Sequence, residues 1–171
     1  LLRDRLAAEL PAIRLMQAEP ATDGELALVH THTRERIELV YAQGDRLLPD
    51  ALAALDRFLR DHYSGAVGRI DARLFELLHA LRRSLGTREQ APFEIISGYR
   101  APATNARLRA TRGGGVATHS LHMEGRALDI RLPGVPLTEL RDAALALGAG
   151  GVGCYEQQQF VHVDTGRVRR W

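Results

Sequence analysis

The sequence predicts an α+β fold, a small antiparallel sheet flanked by helices. Three observations predict it. Stretches with apolar residues three and four positions apart alternate with short β-rich or two-residue-alternating runs. Gly, Pro and Asp punctuate the boundaries between them. The 171 residues are 45% hydrophobic and 26% charged, enough apolar material for one core and too much for a disordered chain. The expected organisation is a single domain over 1–171, with 1–23 as an N-terminal extension and 93–171 as the catalytic core.

The first elements read as scaffold. "LLRDRLAAELPAIRLM" at the start interleaves charges with its apolar residues, so it reads as neither a signal peptide nor a membrane anchor. No window approaches the roughly 20 apolar residues that span a bilayer. "GELALVHTHTRERIELVY", Gly24 to Tyr41, holds two β-rich runs around a polar turn at Thr33 to Glu35, a hairpin. His30 and His32 stand at i and i+2, read as solvated positions on a half-exposed strand because no third ligand is close in sequence. "LPDALAALDRFLRDHY" is an amphipathic helix with Asp50 placed to cap its start, and "DARLFELLHALRRSLG" is a second, opening on Asp71 and stopping at Gly86. His62 and His79 are assigned to scaffold.

The later elements carry chemistry. "FEIISGYR" is a short buried strand that breaks at Ser97-Gly98 and delivers Tyr99 and Arg100 into a turn. Pro102 starts a helix at a position where its missing N–H is not needed. Three glycines follow in "GGGVATHS", a turn or mobile loop that matches no nucleotide-binding spacing. In "RALDIRL", Ala127, Asp129 and Arg131 share one strand face and Leu128, Ile130 and Leu132 the other. "PLTELRDAALALG" is a further helix, and "GGVGCYEQQQFVHVDTG" closes the chain as a hairpin turning at Glu156 to Gln159.

Composition excludes several chemistries. Net charge is +2 and the sequence contains no Lys, so its basic character is that of Arg alone. There is no Walker lysine and no Schiff base. No basic stripe interleaved with aromatics appears, so nucleic acid is not an expected partner. Cys154 is the one cysteine, which rules out an internal disulfide and a Cys-rich zinc finger. It lies in a predicted strand without a base partner and reads as a small buried hydrophobe.

"THSLHMEGRALDI" raises the central question, since it sets His122 shortly before Asp129 in an otherwise apolar strand. His162 and Asp164 share one face of the last strand, while Val161 and Val163 point to the core. If the two strands are neighbours, His122, Asp129 and His162 converge with two imidazoles and a carboxylate. That is the ligand set of catalytic zinc with its fourth position open. Ferrous iron also accepts two His and a carboxylate, and an ion-paired surface cluster with Arg126 or Arg131 is the further alternative.

"SGYRAPATNARLR", "SLHMEGRALDIRL" and "GVGCYEQQQFVHVDTGRVRRW" together resemble the LAS-type zinc murein peptidases related to D-Ala-D-Ala carboxypeptidases, most closely their YcbK-like branch. The resemblance runs from Leu26 on and is densest over Phe93 to Trp171. It implies a Hedgehog/D-Ala-D-Ala-peptidase-like fold, a Zn2+ cofactor held by His122, Asp129 and His162, and Arg100 as the residue that binds the carbonyl oxygen as it becomes an oxyanion. It also implies hydrolysis of peptide bonds in peptidoglycan stem peptides or cross-links, by an endopeptidase or a carboxypeptidase, in the periplasm or cell envelope.

The sequence departs from the family at the general base. Many relatives carry a Glu three residues before the last His ligand or a His two before it, and here those positions hold Gln159 and Phe160. Asp164 is the expected substitute, on the face of His162, with an orienting role toward His162 as the alternative. His119 and Glu156 are reserves. Ser120 and Asn105 are expected to order the site by hydrogen bonds, and Tyr155 and Trp171 to line a substrate groove or the core. A zinc-stabilised module that binds cell-wall peptides without cutting them is the rival function.

Overall fold

The sheet is built by strands whose alternation separates a core face from a site face. The structure, a computed structural model, describes residues 23–86, 91–112 and 114–171. The N-terminal extension and the reading of its first residues lie outside the described residues, as does Gly113 of the glycine run. Strands β1 (Gly24–His30) and β2 (Arg36–Gln43) form the expected hairpin, and β3 (Arg46–Leu47) continues beside β2. Strand β4 (Phe93–Ser97) lies parallel to β1 and antiparallel to β5 (Ala127–Arg131). Strands β6 (Gly151–Tyr155) and β7 (Phe160–Asp164) make the last hairpin, and β8 (Arg169–Arg170) runs parallel to β6.

The resulting order is β3-β2-β1-β4-β5-β7-β6-β8. This eight-stranded sheet is larger than the small one expected, and its pairings are antiparallel except for β1 with β4 and β6 with β8. The α+β class holds. The β1–β4 pairing can be parallel because two helices and their loops lie between those strands in sequence, room enough for a crossover.

Among the described residues four helices accompany the sheet: α1 (Pro49–Phe58), α2 (Arg73–Ser84), α3 (Pro102–Thr111) and α4 (Leu137–Leu147). Asp50 does not cap α1. Leu48 occupies the cap position and Pro49 the first turn, so Asp50 sits inside that turn, where its charge still favours the helix dipole. At α2, Ala72 takes the cap position, and Asp71 just before it accepts the backbone N–H of Arg73 on its Oδ1 at 3.1 Å. Leu55, Phe58, Leu74, Leu78, Leu81 and Leu140 join Leu26, Leu28, Phe93, Ile95, Leu128 and Ile130 in one contiguous apolar cluster. Burying a side chain of this size contributes about 1.5–3 kcal/mol each, which anchors β5 and β7 by one face and frees the other for chemistry.

The histidines near β1 differ from the expectation. His30 is fully buried at the end of its strand, while His32 lies exposed in the turn beyond it. His62, past the end of α1, stacks on His32 with ring centroids 4.1 Å apart, and His30 sits edge-on to His62 at 5.4 Å. Sequence distance hid this third ring. His30 Nδ1 accepts the backbone N–H groups of His32 and Thr33, so it closes the turn that follows β1.

Candidate metal centre

His122 owes its position to a short 3-10 helix, Leu121–Glu124. Ser120 caps it, its Oγ accepting the N–H of His122 at 3.3 Å. Gly125 ends it with φ of 66°, and a Cβ there would collide with the carbonyl of Arg69. The next strand follows at once, so Asp129 lies on β5 within reach of His122. The backbone N–H of Arg100 donates to the carbonyl of His122 at 3.0 Å, which ties the Tyr-Arg turn to the same helix. Asp61 Oδ2 fixes that turn from below by accepting the N–H of Ala101 at 2.9 Å.

The β5–β7 register completes the arrangement. Asp129 pairs with His162, Ala127 with Asp164, and Leu128 with Val163. Directly opposed residues carry their Cβ atoms on one face about 5 Å apart. Asp129 Oδ1 therefore meets His162 Nδ1 at 3.0 Å and His122 Nε2 at 3.3 Å. All three side chains are buried. Their ligand atoms lie within 4.8 Å of one another, and the set is able to hold a metal ion.

The outer nitrogens of both imidazoles are committed elsewhere. His122 Nδ1 lies 2.7 Å from the carbonyl oxygen of Gly98, an acceptor, so Nδ1 carries the proton and Nε2 keeps its lone pair. His162 Nε2 lies 2.9 Å from Asp164 Oδ2, which likewise calls for a proton on Nε2 and leaves Nδ1 facing Asp129. In the neutral tautomers, two nitrogen lone pairs thus point at one carboxylate oxygen. Acceptors facing acceptors repel unless positive charge stands between them. Burial alone would lower the His162 pKa, yet the Asp129 and Asp164 carboxylates raise it. Burial would also raise the Asp129 carboxyl, but His122 and His162 hold it well below the usual carboxylate range.

Two of the three ligand-to-ligand separations match a small divalent ion, and the whole set lies within 4.8 Å. A tetrahedron with bonds of about 2.0–2.1 Å has edges of about 3.3 Å, close to the observed 3.0 and 3.3 Å separations. The expected surface-cluster alternative does not form. Arg126 pairs with Glu124, and Arg131 with Glu94.

Asp164 sits differently from a group open to substrate. It is fully buried. Oδ1 accepts the N–H groups of Gly151 and Gly166, each at 2.9 Å, and Arg169 donates to both carboxylate oxygens, at 3.1 and 2.9 Å. Burial would raise its pKa, but His162, Arg169 and the two backbone donors hold it far below the usual range.

A cleft of about 320 Å³ opens onto the three ligand atoms and is lined by Arg100, His119, Ser120, Tyr155, Phe160 and Trp171 among others. A larger concavity of about 730 Å³ between α1 and residues Arg69–Arg73 contains no such ligand group among the described residues. Arg100 is half-buried at the cleft wall. Its Nη1 donates to Asn105 Oδ1 at 3.3 Å, and Asn105 Nδ2 donates to the Ala117 carbonyl at 3.0 Å. His119 is exposed there, whereas Glu156 is exposed outside the lining. Cys154 is only partly buried and outside the cleft.

Sequence reading missed several contributors. The Gly98 carbonyl that orients His122 has no sequence signal. Arg169, which clamps Asp164, shows only as one Arg among many. Gly153 had a signal in "GVGCY": it lies opposite His162 on β6, and a Cβ there would come within 2.5 Å of the Trp171 indole. Trp171 folds across this glycine, its ring centroid 5.2 Å from that of His162 and its Nε1 donating to the Tyr155 hydroxyl at 2.9 Å.

A family model described as Peptidase_M15_2, peptidoglycan L,D-endopeptidase MepK, matches residues 18–171. The chain is 43% identical over 146 residues to the peptidoglycan L,D-endopeptidase MepK of Escherichia coli (strain K12), covering 85% of this chain and 79% of that protein. The probable peptidoglycan L,D-endopeptidase MepK of Haemophilus influenzae is 38% identical over 146 residues, covering 85% of this chain and 77% of the relative. The resemblance carried by the Ser-x-His, Gly-x-Ala-x-Asp and final His segments is thereby borne out, and the chain belongs to the Peptidase_M15_2 family.

Proposed function

We propose that this protein is a zinc-dependent endopeptidase of the cell envelope that hydrolyses peptide bonds in peptidoglycan cross-links, with His122, Asp129 and His162 as its metal ligands. The convergence of Nε2, Oδ1 and Nδ1 on one point, with both outer imidazole nitrogens committed to oxygen acceptors, carries the reading. Two neutral imidazoles and one carboxylate leave a fourth position open, the composition typical of catalytic zinc sites. The relatives' names favour cutting over mere binding, and an internal cross-link over a terminal residue.

The zinc ion, when bound, supplies Lewis acidity toward water and the peptide carbonyl. The chain's own residues do the rest. Asp129 brings negative charge that keeps a cation in place, and the Gly98 carbonyl fixes the His122 ring. Arg100 offers a permanently charged fork from the cleft wall to the carbonyl oxygen as negative charge develops there. Its hydrogen bond to Asn105 holds that fork in position.

Asp164 was the expected proton acceptor, and its surroundings support a different assignment. Both of its oxygens are occupied and the side chain is sealed from the cleft. Such a carboxylate acts through His162, holding the Nε2 proton so that Nδ1 stays a ligand. His119, exposed in the cleft lining, is then the side chain placed to take the proton from attacking water.

The test is metal content measured beside muropeptide digestion followed by mass spectrometry. Purified protein should carry about one zinc per chain, the single-ion stoichiometry of a three-ligand site. His122→Ala and Asp129→Ala should lose both the metal and the cleavage. Full activity in either variant would end the proposal.

A further inference from the structure

The cleft carries more positive charge than the ligand set accounts for. Arg100, Arg112 and Arg169 all line it, while Asp129 is the one carboxylate in that lining. Arg169 is neutralised by the buried Asp164, which it grips with both terminal nitrogens. Arg112 has no such carboxylate among the described residues, and Arg100 is only partly offset, by Asp129 and Asp61 acting without an ion pair. Among the described residues their side-chain partners are uncharged: the Asn105 amide for Arg100 and the Tyr63 hydroxyl, at 3.3 Å, for Arg112.

Helix α3 brings these two guanidiniums to the same cleft. Arg100 stands just before its first turn and Arg112 takes its C-cap position. Burial chiefly lowers the Arg100 pKa, the Asp129 carboxylate opposes that shift, and Arg112 is near enough to add a smaller lowering. Like charges converging on one concavity repel, and an anion between them relieves that repulsion.

Arg112 is also held in place. Tyr63 accepts from one of its terminal nitrogens, and the face of the Tyr63 ring carries the Arg107 guanidinium 5.1 Å from the ring centroid. A guanidinium has five donors, so one bond to a phenol leaves most of the fork free. Arg112 is exposed, and a ligand entering the cleft can reach it without displacing any protein carboxylate.

Resting on the peptidase reading above, we propose that Arg112 binds a free carboxylate of the substrate peptide, so that the cleft selects acidic peptides over their uncharged counterparts. Arg100 remains available for the scissile carbonyl, and the two arginines divide charge recognition from transition-state stabilisation. A planar carboxylate fits the Arg fork in two-point fashion, which a point charge would not reproduce.

The experiment compares a cross-linked muropeptide dimer with the same dimer after its carboxylates are converted to carboxamides. The zinc-loaded wild-type protein should cleave the acid form with kcat/KM about 10- to 100-fold higher, the worth of a charge-assisted contact. Arg112→Gln should lower kcat/KM on the acid form by a similar factor, chiefly through KM, and leave the carboxamide form unchanged. Tyr63→Phe, which keeps the charge and removes one support, should preserve most of the discrimination. Equal loss on both forms, or a wild type that does not distinguish them, overturns the carboxylate assignment while the peptidase reading stands. Failure of the wild type to cleave either form overturns both.

Discussion

Asp129 and His162 face one another across paired strands, with Oδ1 and Nδ1 3.0 Å apart and both side chains buried. Since Nε2 of the same ring is engaged with Asp164, the close approach calls for a proton or a cation between Asp129 and Nδ1. Metal should therefore act as a folding ligand. A species that binds only the native state stabilises it by RT ln(1 + [L]/Kd), about 4 kcal/mol at a thousandfold excess over Kd. Chelation should lower the melting temperature of wild type by several degrees, and zinc should restore it. The Asp129→Ala variant should show no such response, and calorimetry with and without chelator decides the matter.

On the proposed roles, Asp164 orients His162 and His119 transfers the proton. Asp164→Asn keeps the shape but weakens the acceptor for the His162 Nε2 proton and loosens Arg169. Loss of such a partner typically costs about 10- to 100-fold in metal affinity or activity. Zinc affinity should fall by that order, and excess zinc should recover much of the turnover. His119→Ala should leave zinc affinity intact and reduce kcat by about 10²- to 10⁴-fold, the usual worth of a general base. Zinc titrations alongside kcat measurements distinguish the roles. An Asp164→Asn variant that retains zinc at full affinity yet cannot turn over would return the base to Asp164.

Gly153 governs the placement of Trp171. A Cβ at this position would approach the indole within 2.5 Å, and the ring would have to leave its place beside His162 and its hydrogen bond to Tyr155. Gly153→Ala should cost about 1–3 kcal/mol, as overpacking does. It should also raise KM, because Trp171 forms part of the cleft wall. Trp171→Ala gives the comparison. If Gly153→Ala has no effect unless Trp171 is present, the contact is the cause. An independent effect in the Trp171→Ala background would point to the β6 backbone instead.

Much of this was legible from local pattern. Alternation in "RALDIRL" and "FVHVD" placed Leu128, Ile130, Val161 and Val163 in the core and turned Asp129, His162 and Asp164 to the other face, as the register shows. Two-residue periodicity is a backbone property, so a single sequence reveals it. Pairing across distance is not such a property. Nothing local indicated that β4 would run parallel to β1, that Arg169 would clamp Asp164, or that His62 would stack on His32. The occupancy of Asp164 was hidden for the same reason, since its donors come from Gly151, Gly166 and Arg169.

The histidine cluster at the end of β1 makes stability depend on pH through residues outside the proposed ligand set. Burial first, and then neighbouring positive charge, lower the pKa of His30 from 6.5 to about 4. His62 is lowered from 6.5 to about 4 by burial and by its His32 and His30 neighbours, against a smaller opposing effect of Asp61. Each imidazole is therefore neutral when folded and takes up a proton more readily when unfolded. Between pH 6.5 and about 4 the unfolded chain binds more protons, so stability rises with pH across that window and falls as acid is added. The contribution is complete above pH 6.5 and is lost on the way down to about 4, with each ring worth roughly 1–2 kcal/mol after allowance for coupling and solvent. His62→Phe keeps a ring against His32 and removes one titrating group, so it should flatten the dependence of unfolding free energy on pH in that range. Urea denaturation at half-unit steps from pH 7 to pH 4 measures the slope, and identical slopes in wild type and variant would show that His62 does not titrate in this window.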